Sequence, residues 1–183
     1  MTDDLHRRLV ALLRERSVRT GTFTLASGRT SDFYVDVRQT SLHPEGAWLI
    51  GRLLLAHLHP DAVAIGGMTL GADPLACAAA TLSTTVGRPV HAFLIRKEPK
   101  GHGVGSYVVG REALPDGAAV CMVEDTTTTG GSLLQAIERA EASGLRVIQV
   151  LTIVDRQEGA IELLASHGYD LRAITTRDEL VSP

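Results

Sequence analysis

From residue 60 onward the chain alternates short, mostly apolar runs with helix-patterned stretches, and that alternation leaves few folds open. The apolar runs are AVAIGG, VHAFLIR, AAVCMVED, LRVIQVLTIVD and LRAITT. They are apolar on both faces, so each strand must be covered from above and below. ADPLACAAATLSTTV is a small-residue helix able to pack closely on a sheet. GSLLQAIERAEASG carries Leu133, Leu134, Ile137 and Ala140 on one side and stops at Gly144; GAIELLASHG is a further helix. Together they predict an α/β fold, a mostly parallel sheet flanked by helices, with right-handed crossovers. Ligands of such folds sit beyond the carboxyl ends of the strands. The loops to search are therefore GGMTLGADP, RKEPKGHGVGSY, EDTTTTGGS and DRQEG.

The first sixty residues are patterned differently. Leu5, Leu9, Val10, Leu12 and Leu13 form a helical stripe over residues 4–16, with Asp3 or Asp4 as cap. GTFTLASGRTSDFYVDVR, from Gly21, predicts two short strands joined by a turn at Ser27-Gly28. Pro44 opens a helix carrying Trp48, Leu49, Leu53, Leu54 and Leu58, which Pro60-Asp61 ends. With 183 residues there is room for one good core, so a single domain is expected over 1–183. Residues 1–42 would form a small N-terminal hood of helix and short strands, and 60–175 the core.

A 44% hydrophobic, 21% charged composition argues against disorder, and a net charge of −3 gives no reason to expect nucleic acid as partner. Cys77 and Cys121 are far apart within apolar stretches, which predicts two buried thiols rather than a zinc or redox pair. A reducing cytoplasm fits, and the acidic start is no signal peptide. No apolar run approaches a membrane span. His57 and His59, two apart at a helix end, make a poor metal pair.

EDTTTTGGS holds the most chemistry. Residues 120–123 form a strand and Ser132 opens a helix, so the loop between lies at a helix N-terminus, where free N–H groups and the dipole favour an anion. Gly130 and Gly131 permit close approach, and Thr126, Thr127, Thr128, Thr129 and Ser132 add hydroxyl donors: a cradle for a phosphate monoester. Glu124 and Asp125 would repel a phosphate and suit hydroxyls or a metal instead. A ligand with vicinal hydroxyls beside a phosphate, such as ribose 5-phosphate, satisfies both. A merely capped helix requires no adjacent acids. The standard GxxxxGK[ST] motif is absent, and GHGVGS misses GxGxxG by its last glycine.

VCMVEDTTTTGGS resembles the phosphoribosyl-pyrophosphate (PRPP) binding motif of the type I phosphoribosyltransferases. The resemblance implies that Glu124 and Asp125 bind the ribose hydroxyls and residues 126–132 the 5-phosphate. RKEPKGHG, whose Arg96, Lys97, Lys100 and His102 form a basic cluster that could equally be a solvated surface loop, is similar to the catalytic loop of the orotate phosphoribosyltransferase family. That likeness runs from Leu5 to about Thr175 and implies transfer of the phosphoribosyl group from PRPP to orotate, for pyrimidine biosynthesis. It implies a homodimer in which Arg96, Lys100 and His102 act across the interface on pyrophosphate while Lys97 acts at home. Asp125 joins Arg96, Lys100 and His102 as a catalytic residue.

The same resemblance makes Arg156 of DRQEG the clamp for the orotate carboxylate and Thr128 a hydroxyl near the base. Phe33 and Tyr34 are candidates to lie beside the base, or else plain strand core. Magnesium is implied, held mainly through PRPP without dedicated protein ligands. Two positions depart from the family pattern: Ala26 stands where many members have lysine, and Thr69-Leu70 replaces a lysine in the pyrophosphate loop. The backbone of Met68, Thr69, Leu70 and Gly71 is then expected to bind pyrophosphate. A phosphoribosyltransferase for another base and a PRPP-binding regulator are the alternatives; the basic loop and Arg156 speak against the first, the mild acidity and the intact loop against the second.

Overall fold

The computed structural model describes residues 2–24, 30–99 and 107–182. Ala26, Lys100, His102 and the turn at Ser27-Gly28 lie outside the described residues. The chain opens with helix α1 (Thr2–Arg16), followed by the antiparallel pair β1 (Val18–Thr24) and β2 (Thr30–Val35). A short helix, α2 (Arg38–Ser41), leads into α3 (Pro44–His57), with Pro44 in the first turn, where its missing N–H costs nothing.

The alternating part gives β3 (Ala64–Met68), α4 (Ala72–Ser83), β4 (His91–Ile95) and β5 (Val108–Val109). Then come β6 (Ala119–Thr127), α5 (Gly131–Ala142), β7 (Arg146–Asp155), α6 (Ala160–Ser166), β8 (Leu171–Thr176) and α7 (Arg177–Val181). Among the described residues one sheet has the order β5-β4-β3-β6-β7-β8, parallel throughout except for β5. Strand side chains alternate between two cores, as the period of two requires. Cys121 and Val123 pack with Leu9, Leu53 and Leu75 of α1, α3 and α4. Val120 and Met122 pack with Leu133, Ile137 and Leu164 of α5 and α6.

The chain runs outward from β3 to β4 and β5, then returns to place β6 on the other side of β3. The strand order reverses there, so the loops after β3 and β6 diverge and leave a crevice at their carboxyl ends.

The elements differ from expectation in several places: α1 starts at Thr2, so Asp3 and Asp4 lie within its first turn rather than at the cap, and β1 starts at Val18 rather than Gly21. β6 does not stop at Val123: Glu124 pairs with Thr152, Thr126 with Val154 and Thr127 with Asp155, because β7 is long enough to carry the ladder and β-branched threonines suit it. The strand-to-helix loop therefore shrinks to residues 128–130, and α5 starts at Gly131 rather than Ser132. Elements α2, β5 and α7 were not anticipated. Cys77 is exposed, not buried; it lies on the outer side of α4, while Cys121 is buried as expected. No described helix is long and apolar enough to cross a membrane.

Candidate active site

The crevice holds a cavity of about 440 Å³, lined by Arg38, Met68, Thr69, Leu70, Gly71, Lys97, Glu124, Asp125 and Ser132. Sheet pairing puts the two acids at the end of β6, and the turn into α4 brings Gly71 against them. A Cβ on Gly71 would stand 2.6 Å from Asp125 Oδ1 and 3.1 Å from Glu124 Oε1. Both carboxylates thus converge on a backbone that only glycine leaves uncovered. Asp125 Oδ1 accepts a hydrogen bond of 2.8 Å from the Thr126 N–H. Glu124 is 6% exposed, and its buried Oε2 has no hydrogen-bond partner among the described residues.

A buried, unsatisfied acceptor is costly, so this oxygen points to a donor that a ligand would bring. Burial, reinforced by the Asp125 charge, pushes the Glu124 carboxyl from an ordinary 4.5 up to about 8, with Lys97 opposing. Burial also raises Asp125, opposed by the Thr126 N–H and, more weakly, by the Arg38 charge.

Beside the acids the chain turns sharply. Gly130 adopts φ +83° at the start of α5, and a Cβ there would meet Leu164 Cδ2 at 2.9 Å. Thr127 is buried, its hydroxyl donating to Asp155 Oδ1 at 3.1 Å, and Asp155 also accepts from the Gln157 N–H. Thr127 is therefore committed to the scaffold. Thr126 and Thr128 are half-buried, and Thr129, Gly131 and Ser132 are exposed, so the cradle at the N-terminus of α5 is open to an anion.

On the opposite wall, Thr69 N donates to Ile95 O at 2.9 Å, and a cis peptide bond joins Thr69 to Leu70, whose side chain is exposed. Arg96 and Lys97 leave β4 exposed, and Lys97 borders the cavity. The root of their loop is pinned twice. Arg96 N donates to Tyr107 O, and Arg139 of α5 donates to Arg96 O at 2.7 Å while its guanidinium lies 4.2 Å from the centre of the Tyr107 ring.

The candidates for the base gather partly. Arg156 N donates to Thr127 O at 2.9 Å, which ties the DRQEG loop to the end of β6. Its guanidinium pairs with Glu158 at 2.8 Å, is 11% exposed, and keeps Nε without a hydrogen-bond partner among the described residues. Phe33 is 1% exposed and belongs to the core, with Arg156 at 6.0 Å and Arg177 at 5.5 Å from its ring centre. Tyr34 faces the other way along β2, 38% exposed, into a groove with Arg16, Arg19, Asp36 and Gln39. The fold thus brings Phe33, and not Tyr34, to Arg156.

Sequence reasoning missed Arg38, Asp36 and Arg139. An acid and an arginine two apart at the end of an alternating strand were the available signal for the first two; a lone arginine on a helix gave none for the third.

No family model matches the chain. An orotate phosphoribosyltransferase of Thermosynechococcus vestitus is 46% identical over 171 residues, 93% of this chain and 90% of the relative. A crystal structure of the Mycobacterium tuberculosis orotate phosphoribosyltransferase superposes with a TM-score of 0.85 at 39% identity, covering 97% of this chain and 99% of that one. The same enzyme in complex with PRPP gives a TM-score of 0.77 at 37% identity, covering 96% and 98%. With relatives of that identity along nearly its whole length, the chain belongs to the orotate phosphoribosyltransferase family.

Proposed function

We propose that the chain transfers the 5-phosphoribosyl group of PRPP to orotate, yielding orotidine 5-monophosphate and pyrophosphate, as a cytoplasmic step of pyrimidine biosynthesis. The observation that carries this reading is the pair Glu124–Asp125 converging on Gly71 beside the open start of α5. The ribose hydroxyls would satisfy the carboxylates, Glu124 Oε2 included, and the hydroxyls of Thr126, Thr128, Thr129 and Ser132 with the N–H groups of residues 128–132 would take the 5-phosphate, Thr127 being held by Asp155 instead.

A ring nitrogen of orotate attacks C1 of the ribose and gives up its proton to the departing pyrophosphate or to solvent; the C1–O bond breaks and its electron pair leaves with pyrophosphate. Positive charge builds on the ribose, within reach of Asp125, and negative charge on the leaving group, where Arg96, Lys97, Lys100 and His102 stabilise it. The backbone of residues 68–71 seats the pyrophosphate. Arg156, aligned by Glu158, takes the orotate carboxylate through its planar fork, with Thr128 near the ring and Phe33 backing the guanidinium.

Glu124 and Asp125 offer hard oxygen donors in the cavity that PRPP would occupy, which fits magnesium carried mainly by PRPP itself. Bound there, magnesium would offset charge on the diphosphate.

A homodimer belongs to the same reading. Its support is an apolar groove bordered by Leu42, Ala47, Trp48, Pro74, Ala78 and Leu82, with Leu42 and Trp48 exposed. Helix α4 forms one wall of this groove and starts directly after the cavity loop. A second copy seated on it would lie beside the cavity, where a loop acting across the interface must reach. Trp48→Glu should then yield monomers by light scattering and lower activity.

The deciding assay mixes pure protein with PRPP, magnesium and orotate and follows the loss of orotate absorbance, with uracil, adenine, hypoxanthine and nicotinate in parallel. Magnesium-dependent consumption of orotate alone is expected. Turnover of another base would discard Arg156 as the clamp while keeping the PRPP site.

A further inference from the structure

Arg38 lines the same cavity as the acids, close enough for its charge to act on Asp125, and neither a motif nor the expected chemistry assigned it. It is the first residue of α2, where the chain leaves β2 and turns toward the sheet. Its orientation is built. Arg38 Nε donates to Asp36 Oδ1 at 2.8 Å, its own backbone N–H donates to the same oxygen at 3.2 Å, and Gln39 Nε2 donates to Asp36 Oδ2 at 3.3 Å. Both oxygens of Asp36 are used, and its side chain is 15% exposed. The Arg38 side chain is 48% exposed, so it is bracketed on one edge yet open on the other. No described residue bonds its two terminal nitrogens. A guanidinium held through Nε in this way presents the fork geometry that phosphate oxygens fill in pairs.

The charges on the cavity walls call for such a group. Glu124 and Asp125 contribute two acids, and residues 68–71 carry no charged side chain. Lys97 and Arg38 are the cations among the described lining residues. PRPP brings a phosphate at one end and a diphosphate at the other. The cradle at α5 serves the phosphate with uncharged donors, so among the described lining residues Lys97 and Arg38 are the countercharges that could join the proposed loop cations on the diphosphate. Lys97 is a solvated point charge on a flexible stem, whereas Arg38 is already oriented.

We propose that Arg38, positioned by Asp36, contacts the diphosphate of PRPP, and that pyrophosphate is bound through the same fork. The proposal rests on the phosphoribosyl-transfer reading and assigns a diphosphate-binding residue to that site. The bland alternative is a surface ion pair that merely ties α2 to β2, which would add little stability and nothing to binding.

Calorimetry on the intact protein separates the two. With magnesium present, PRPP and inorganic pyrophosphate are titrated into wild type, Arg38→Gln, Arg38→Lys and Asp36→Asn. Arg38→Gln should weaken both ligands by about tenfold or more, the loss expected of one charge-assisted contact. Arg38→Lys should recover part of that loss, since charge without the fork remains. Asp36→Asn should cost several-fold, because the guanidinium is present but unaligned. In steady state the KM for PRPP should rise while that for orotate stays within about twofold, and the melting temperature should hardly move. Wild type that binds PRPP, with Arg38→Gln binding equally well, overturns the assignment and leaves the transfer reading standing. Wild type that binds neither PRPP nor pyrophosphate overturns both. A fall in melting temperature without any change in ligand affinity would return Arg38 to a structural pair.

Discussion

The ends of β6 and β4 face the same cavity and are built in opposite ways. At the end of β6 the key polar groups are buried: Glu124 is 6% and Thr127 2% exposed, and Thr127 is locked to Asp155 of β7, itself 1% exposed. At the end of β4, Arg96, Lys97, Glu98 and Pro99 are all exposed, and the segment is held at its root by Tyr107 and Arg139. Uncharged hydroxyls are told from water only by acceptors that are already aligned and dry, so the β6 side carries the cost of burying acids in the empty enzyme. Cations that meet a polyanion lose little by waiting in water, because charge attraction acts at a distance and hydration keeps them soluble meanwhile. One side is therefore sensitive to shape and the other to charge.

Gly71→Ala should break this contrast most severely. Gly71 has φ −60° and ψ −46°, an ordinary helical conformation, so alanine strains no backbone there and would favour the start of α4. Its methyl group would instead stand 2.6 Å from Asp125 Oδ1 and displace the acid pair. Displacing groups by about 1 Å costs on the order of a hundredfold in rate, and that loss of kcat/KM is expected with the melting temperature kept. Near wild-type turnover would mean the carboxylates need no such convergence.

Arg156→Gln should cost less and fall elsewhere. It removes one charge-assisted fork to the orotate carboxylate, so the KM for orotate should rise by about ten- to a hundredfold while that for PRPP stays put. Uracil discrimination should relax in parallel. Equal loss for orotate and uracil would show that Arg156 is not reading the carboxylate. Lys97→Ala probes the solvated wall. Being exposed, Lys97 should matter by only a few-fold, and most at low ionic strength. A penalty that salt does not change would contradict the picture of a screened, waiting cation.

The same contrast explains what could be read from the chain before its fold. Runs such as AIGG and VCMV are apolar on both faces, and that fixes a covered parallel sheet whatever the details. Adjacent acids before threonines and glycines are legible because no structural need explains them. The length of β6 is not legible, because it depends on β7 offering partners as far as Asp155, a fact about pairing rather than about residues 124–127. Cys77 misled for a related reason: on ADPLACAAATLS nearly every position is small, so the sequence does not say which face is buried. For Phe33 and Tyr34, alternation put them on opposite faces of β2, but only the packing of α7 and the DRQEG loop decided which ring met Arg156. Helix α7 itself had a signal in Thr176 and Glu179, the spacing of a capping box; Thr176 Oγ1 accepts from the Glu179 N–H in the fold.

The smallest expected effect sharpens the comparison furthest, because it concerns the empty protein. Glu124 has its carboxyl raised from an ordinary 4.5 to about 8, first by burial and then by Asp125. Between those values the unfolded chain has released a proton that the folded one retains, so the slope of stability against pH is negative across that window. The contribution is undiminished below about 4.5 and is lost as pH rises toward 8. Glu124→Gln removes the ionisable group, so relative to wild type the variant should become more stable as pH climbs, by a few degrees in melting temperature near pH 8. The same variant should bind PRPP less well, since an amide offers one acceptor where the carboxylate offers two. A protein that gains stability while losing substrate would locate the cost of the buried acids in the ground state of the site. A variant whose melting curve tracks wild type at every pH would instead mean that Glu124 is hydrated when empty, and that the β6 side is no drier than the β4 side.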